Sequence, residues 1–104
     1  MRVLVFGRDG KVGAVLMTSL AAAGHDVLGV EVGEQIDLAG VDVAVDFTTP
    51  TAVLGNATTS LAGGVPCVIG TTGLTDDDLA QLDRQAREMA TQCFVAPTSR
   101  SARS

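Results

Sequence analysis

The chain has 104 residues, a length that suits a single domain with its own core. Hydrophobic residues make up 46% of it and the formal net charge is −5, which excludes a disordered chain and argues against a nucleic-acid surface. No apolar run approaches the roughly 20 residues of a membrane helix, so we expect no membrane association and a cytoplasmic location. An anionic dinucleotide is still compatible with this charge, because such sites use local backbone dipoles.

In the first half of the chain, short apolar runs alternate with one helix-like segment. Residues 3–6 are continuously apolar, which is typical of a strand covered on both faces. Helical spacing of apolar residues predicts a helix over 12–23, which Gly24 ends as its C′ residue. Two more strands are predicted over 27–32 and 41–47, and the polar connection between them contains no convincing helix.

The second half continues the alternation. Thr49-Pro50 opens a predicted helix that runs to about Leu61, because proline suits a first helical position. A strand over 66–69 follows, and Thr75 is then placed to cap a helix whose first turn is acidic. Residues 93–96 form the last predicted strand.

This order of elements predicts an α/β fold of the Rossmann type, a doubly wound parallel sheet. We expect about five strands in the order 3-2-1-4-5, with helices on both faces. Ligands of such sheets bind at the carboxyl ends of the strands. The loops that follow the five strands should therefore share one functional rim.

The first of these loops has the pattern G-x-x-G-x-x-G. Gly7 lets the chain leave the strand sharply, Gly10 leaves room for a pyrophosphate, and Gly13 lets the helix pack closely. The helix amino terminus offers free N–H groups to phosphates, to which Lys11 would add a charged contact. Glycines that serve only a tight turn are the alternative interpretation.

An acidic residue about 20 positions after the glycines would bind the adenosine ribose hydroxyls. Glu31 and Glu34 both qualify, and Glu34 is slightly favoured because it lies just past the predicted strand end; a solvated loop carboxylate is the alternative for each. Neither arginine nor lysine occurs between Gly13 and Arg84, so a 2′-phosphate would lack its usual cation. This favours NADH over NADPH.

Two further loops, residues 46–50 and 70–73, fall on the same rim, and the latter (Gly-Thr-Thr-Gly) suits an amide or carboxylate ligand. We expect it to lie beside the glycine loop. Cys67 and Cys93 are expected to be reduced and half-buried, with a disulfide or metal role as the alternative. His25 should lie on the opposite rim as a surface residue. No acid–base pair or nucleophile is evident, so catalytic residues are predicted to be absent.

Four segments together resemble dihydrodipicolinate reductases: residues 3–13, 45–50, 70–73 and 95–97. The resemblance implies that residues 7–12 hold the pyrophosphate of NADH or NADPH. The other cofactor contacts that it implies are Phe47 and Thr48 along the dinucleotide, Gly70, Thr71 and Thr72 at the nicotinamide ribose and amide, and Ala96 and Pro97 at the nicotinamide. The family's ribose-binding acid aligns with Gly33, so Glu34 or Glu31 would have to substitute. In full, the predicted cofactor-binding residues are Gly7, Arg8, Asp9, Gly10, Lys11, Val12, Glu34, Phe47, Thr48, Gly70, Thr71, Thr72, Ala96 and Pro97.

The resemblance also implies an activity of lysine biosynthesis, hydride transfer from the nicotinamide to a cyclic imine dicarboxylate. It covers residues 1–97, the expected NAD(P)-binding domain. The family continues with an apolar loop and a substrate domain that contains a His-His-x-x-Lys motif, whereas residues 98–104 are polar and basic. We expect this tail to replace the substrate domain. The fragment would then be inactive alone and would not form the family's homotetramer.

A single-base deletion would account for the tail. With suitable synonymous codons, loss of one base from the family's Asn-Phe-Ser-Ile-Gly-Ala-Val segment yields Thr-Ser-Arg-Ser-Ala-Arg, which is the sequence of residues 98–103. Two other interpretations stay open. One is another two-domain NAD(P) dehydrogenase, and the other is a stand-alone nucleotide-binding module without catalysis.

Overall fold

Five parallel strands form one sheet in the computed structural model, which describes residues 1–31, 34–70 and 73–95. In chain order the elements are β1 (Arg2–Phe6), α1 (Lys11–Ala22), β2 (Asp26–Val30), β3 (Val43–Asp46), α2 (Pro50–Ala62), β4 (Cys67–Ile69), α3 (Asp76–Glu88) and β5 (Cys93–Val95). The predicted α/β class of the Rossmann type is confirmed. The predicted ends of the second and fifth strands, Val32 and Ala96, lie outside the described residues.

The predicted strand order 3-2-1-4-5 is wrong, since the observed order is β2-β1-β3-β4-β5. β3 pairs directly with β1, with Val5 opposite Val45, instead of lying beyond β2. The connection from β2 to β3 explains the difference. Its residues Ile36 and Leu38 pack against the same core cluster as α2 and α3, on the face of the sheet opposite α1.

Handedness then determines where β3 lies. Crossovers between parallel strands are right-handed, so connections on opposite faces move the chain in opposite directions across the sheet. Since α1 leads from β1 to β2 over one face, a connection over the other face returns past β1. β3 is thereby placed in the interior of the sheet, where Ala44 and Asp46 are fully buried.

The core lies mainly between the sheet and the pair α2 and α3. It comprises Leu4, Phe6, Ala44, Val53, Ala57, Leu61, Val65, Cys67, Ile69, Leu82 and Ala86. On the other face, the Met17 methyl of α1 lies 3.1 Å from where a Cβ on Gly29 would be. Leu38 closes the end of α2, with its Cδ1 2.5 Å from a Cβ built on Gly63.

Local signals at the helix ends were predicted correctly. Thr75 caps α3 in a reciprocal capping box, in which its Oγ1 accepts from the Asp78 N–H and the Asp78 carboxylate accepts from the Thr75 N–H, both at 3.1 Å. Pro50 begins α2, and Gly24 follows α1 with a φ of +94°. Within the described residues, no helix is long and apolar enough to cross a membrane.

Candidate functional site at the carboxyl end of the sheet

The carboxyl ends of β1 and β3 adjoin at the point where the strand order reverses. The connection after β1 runs over one face to β2, and β3 takes its place on the other side of β1. In open α/β sheets this arrangement opens a crevice that ligands occupy. The glycine loop after β1 and the Asp46-Phe47-Thr48 segment at the end of β3 therefore line the same crevice.

The glycine loop is fixed by two close approaches. Gly7 has a φ of +84°, and its N–H donates to the Val30 carbonyl of β2 at 2.8 Å. A Cβ on Gly13 would lie 1.9 Å from the Gly7 carbonyl oxygen, so α1 meets the loop with no room for a side chain there. These contacts explain why glycine is required at both positions.

Gly10 differs from its two neighbours in the motif. It is the N-cap of α1 with a φ of −75°, and a Cβ there would meet only the Gly7 oxygen at 3.4 Å. The protein's own packing thus leaves space for a small side chain. A glycine at this position is explained if a ligand approaches the backbone.

The amino terminus of α1 is suited to an anion. Its first turn contains no acidic residue, and no side chain caps it. Lys11 and Val12, the first two helical residues, are exposed, and the N–H groups of a first helical turn have no intrahelical partner. Backbone donors therefore face the position that a phosphate would take, and Lys11 is the first residue of the same helix.

Thr48 closes the other side of the crevice. Its Cγ2 lies 2.8 Å from where a Cβ on Gly7 would be, so the two loops touch. The buried Asp46 carboxylate holds Thr48 in place, because Oδ1 accepts from the Thr48 N–H at 2.7 Å and from its hydroxyl at 2.5 Å. Oδ2 accepts from the Asn56 side-chain amide of α2 at 2.9 Å.

Phe47 connects this segment to the loop after β4. A Cβ on Gly70 would lie 1.9 Å from the Phe47 ring, and the Gly70 N–H donates to the Asp46 carbonyl at 2.8 Å. Because β3 lies between β1 and β4, the loop that begins at Gly70 is not the immediate neighbour of the glycine loop, contrary to the prediction. Phe47 and Thr48 lie between the two.

Arg8 points along the crevice toward the end of β2. It binds Glu34 through both terminal guanidinium nitrogens, with Nη2 3.0 Å from Oε2, and Nη1 also donates to the Gly29 carbonyl at 3.2 Å. This pair, with a bond from the Glu31 N–H, lowers the pKa of Glu34 to about 2. The pKa of Arg8 is raised above its usual value, first by its hydrogen bond to Glu34.

Glu31 and Asp9 lie beside this ion pair and, with Glu34, form an acidic corner around Arg8. The Asp9 N–H donates to Glu31 Oε2 at 2.6 Å, and Asp9 Oδ1 lies 3.8 Å from Arg8 Nε. Both of the acids considered for the ribose thus reach the glycine loop.

Not every predicted site residue can be placed. Thr71, Thr72, Ala96 and Pro97 lie outside the described residues, as does the tail over 98–104. Conversely, sequence reasoning did not assign Asp46 or Asn56 a role. The available signal was an acidic residue at the end of a buried strand, followed by a helix with an asparagine nearly two turns after its start.

The remaining polar candidates lie elsewhere. His25 immediately precedes β2, at the amino end of the sheet, as predicted. Cys67 is buried and Cys93 half-buried; both are free thiols, and burial is the first cause that raises the pKa of each. Among the described residues, no cluster of three or more potential metal ligands occurs.

Comparisons with known proteins place the chain in a family. A family model described as "Dihydrodipicolinate reductase, N-terminus" matches residues 22–98. The 4-hydroxy-tetrahydrodipicolinate reductase of Coxiella burnetii (strain CbuG_Q212) is 39% identical over 103 residues, covering 93% of this chain and 43% of its own length. The enzyme of the same name from Corynebacterium diphtheriae is 36% identical, with 93% and 42% covered.

Solved structures agree with this placement. A dipicolinate-bound dihydrodipicolinate reductase from Paenisporosarcina sp. TG-14 superposes with a TM-score of 0.67 and 25% identity, over 94% of this chain and 47% of that one. Aspartate semialdehyde dehydrogenase II of Vibrio cholerae shares the fold alone, with a TM-score of 0.64 at 15% identity. The chain spans less than half the length of these relatives. It belongs to the dihydrodipicolinate reductase family, whose amino-terminal domain binds a nicotinamide dinucleotide.

Proposed function

We propose that this chain binds NADH or NADPH as the nucleotide-binding part of a 4-hydroxy-tetrahydrodipicolinate reductase of lysine biosynthesis. The observation on which the proposal rests is the amino terminus of α1, which lacks acidic residues and a side-chain cap and opens into the crevice between β1 and β3. Gly10, which the protein's own packing does not require to be glycine, adds a second argument for a ligand.

Each element has a separate task in this proposal. Residues 7–12 bind the pyrophosphate through backbone N–H groups and Lys11. Glu34 or Glu31 accepts from the adenosine ribose hydroxyls, while Phe47 and Thr48 lie along the dinucleotide. Gly70, Thr71 and Thr72, with Ala96 and Pro97, contact the nicotinamide half. The nicotinamide supplies the hydride, and the protein orients it.

Residues 1–97 are the nucleotide-binding domain in this proposal, and residues 98–104 are a tail that replaces the start of a substrate domain. In this proposal the site residues of this chain bind the cofactor, and none of them is assigned to binding of the cyclic imine dicarboxylate or to proton transfer. We therefore expect cofactor binding without turnover from the 104-residue chain.

Titration of the ¹⁵N-labelled chain with NADH and with NADPH, followed by amide chemical shifts, tests the proposal. Either dinucleotide should shift the amides of Gly7, Gly10 and Gly13, whereas pyridine-2,6-dicarboxylate alone should shift none. Well-dispersed spectra that no dinucleotide changes would refute the site.

A charge reversal at Lys11 tests the proposed phosphate site, and the same reversal at a distant arginine serves as its control. Lys11→Glu places an acid in the first turn of α1, where it is favourable for the helix dipole but repels a pyrophosphate. We expect the dissociation constants for NADH and NADPH to rise about tenfold or more. Arg84→Glu makes the same charge change on an exposed site of α3 and should leave both constants unchanged.

A further inference from the structure

The only arginine of the glycine loop does not point at the pyrophosphate position. Arg8 is half-buried against β2: its Cβ and Cδ lie 2.6 and 2.8 Å from where a Cβ on Gly29 would be. Gly29 therefore provides the space along which the arginine reaches the carboxyl end of β2. This is the end of the crevice at which the adenosine ribose would lie.

At that point the Glu34 carboxylate binds the Arg8 guanidinium. Nη1 and Nη2 of Arg8 bind the two carboxylate oxygens, and Oε1 accepts a further bond from the Glu31 N–H at 2.8 Å. A bidentate pair of this kind is both charge-assisted and directional. The Glu34 carboxylate is thus hydrogen-bonded both to the Arg8 guanidinium and to the backbone of its own loop.

The surroundings of the pair are acidic. Asp9 lies 3.8 Å from Arg8 Nε, and Glu31 accepts from the Asp9 N–H at 2.6 Å. Two carboxylates, those of Glu34 and Asp9, therefore lie within 4 Å of the guanidinium, and the Glu31 carboxylate is bound to the backbone next to it. The 2′-phosphate of NADPH would add a further double negative charge to this corner, whereas the 2′-hydroxyl of NADH can donate a hydrogen bond to a carboxylate.

We propose that the Arg8–Glu34 ion pair makes the site selective for NADH over NADPH by keeping the nearby arginine engaged with a carboxylate. The inference rests on the proposed dinucleotide site. Neither arginine nor lysine lies between Gly13 and Arg84, but Arg8, which precedes Gly13, reaches β2. In the structure a cation is present, and Glu34 prevents it from meeting a 2′-phosphate.

Substitution of Glu34 by glutamine tests the role of its negative charge in this selectivity. Glu34→Gln removes the charge that competes for Arg8 but keeps the shape of the side chain. We expect the wild-type chain to bind NADH about tenfold or more tightly than NADPH, and Glu34→Gln to bind NADPH about tenfold more tightly than wild type. Glu88→Gln, an exposed exchange at the end of α3, should change neither affinity.

A double variant tests whether Arg8 is the group that binds the 2′-phosphate once Glu34 no longer engages it. In Arg8→Gln/Glu34→Gln the gain for NADPH should disappear, while amide spectra and the thermal midpoint verify that the chain is folded. Equal affinity of wild type for the two dinucleotides would overturn the inference and leave the proposed function intact. So would a Glu34→Gln variant that loses NADH affinity without gaining NADPH affinity. Absence of binding by either dinucleotide to the folded chain would overturn both.

Discussion

The side-chain amide of Asn56 donates a 2.9 Å hydrogen bond to the buried carboxylate of Asp46 and thereby joins α2 to the segment that follows β3. The other carboxylate oxygen holds the backbone and hydroxyl of Thr48. One buried acid thus determines where Thr48 meets the glycine loop.

Asp46→Ala removes the acceptor of three hydrogen bonds at a fully buried position. We expect the free energy of unfolding to fall by about 3 kcal/mol, because buried donors lose their partner and a cavity forms. Urea denaturation of the 104-residue chain measures this.

Asp46→Asn is the matched comparison. Its remaining oxygen can still accept from Thr48, and the amide of Asn56 can turn to present its own oxygen to the new NH₂ group. The loss should stay below about 1.5 kcal/mol. If both variants lose the same stability, the negative charge matters and the hydrogen-bond geometry does not.

Gly70→Ala tests the contact with Phe47. The added methyl would lie 1.9 Å from the ring, so either the ring or the backbone must move, at a cost of about 1–3 kcal/mol. In the background of Phe47→Leu the same exchange should cost less, since the ring is gone. A double-mutant cycle from urea unfolding measures this coupling, and strictly additive losses would contradict the contact.

Gly13→Ala and Gly55→Ala should change stability in opposite directions. The methyl at position 13 would meet the Gly7 carbonyl oxygen at 1.9 Å, which we expect to cost about 3 kcal/mol or more. Gly55 is exposed within α2 and has no atom within 4 Å of its added Cβ, so alanine should stabilise by about 0.5–1 kcal/mol. Thermal unfolding of both variants measures these changes in stability. A Gly13→Ala variant as stable as the wild type would contradict the close approach of α1 to the Gly7 carbonyl.

The pH dependence of Glu34 follows from its ion pair. The pKa of Glu34 is lowered from 4.5 to about 2, first by its hydrogen bond to Arg8. A lowered folded-state pKa means that the stabilising effect is present above pH 4.5 and is lost as the pH falls toward 2. The ¹³C shift of the Glu34 carboxyl group should therefore titrate near pH 2.

Arg8→Gln should move that titration midpoint toward 4.5, because the largest cause of the lowered pKa is removed. Arg84→Gln, which removes an arginine from α3 instead, should not move it. A wild-type midpoint close to 4.5 would show that the ion pair does not persist in solution.

Features encoded within a few residues could be predicted from the sequence. Thr75 and Pro50 mark the starts of α3 and α2, and Gly24 marks the end of α1, because caps and glycines act through neighbouring backbone groups. The glycine pattern at Gly7 and Gly13 likewise predicted the close packing of α1 on the first loop.

The strand order could not be predicted in this way. It depends on which face of the sheet receives Ile36 and Leu38. Apolar residues of β1 are buried on both faces, so the apolar pattern of the connection alone does not predict which face it covers. The same limit applies to Arg8 and Glu34, which are distant in sequence and meet only once the ends of β1 and β2 are adjacent. Contacts between loops require the topology first.

The interior position of β1 in the sheet has a consequence for synthesis on the ribosome. One edge of β1 is covered by β2, but the other stays open until Val43–Asp46 has emerged, because β3 is its second partner. Thr48 and its contact with Gly7 are made later still. The glycine loop is thus among the first segments translated but among the later ones completed, so a nascent chain that lacks β3 should not yet retain a dinucleotide.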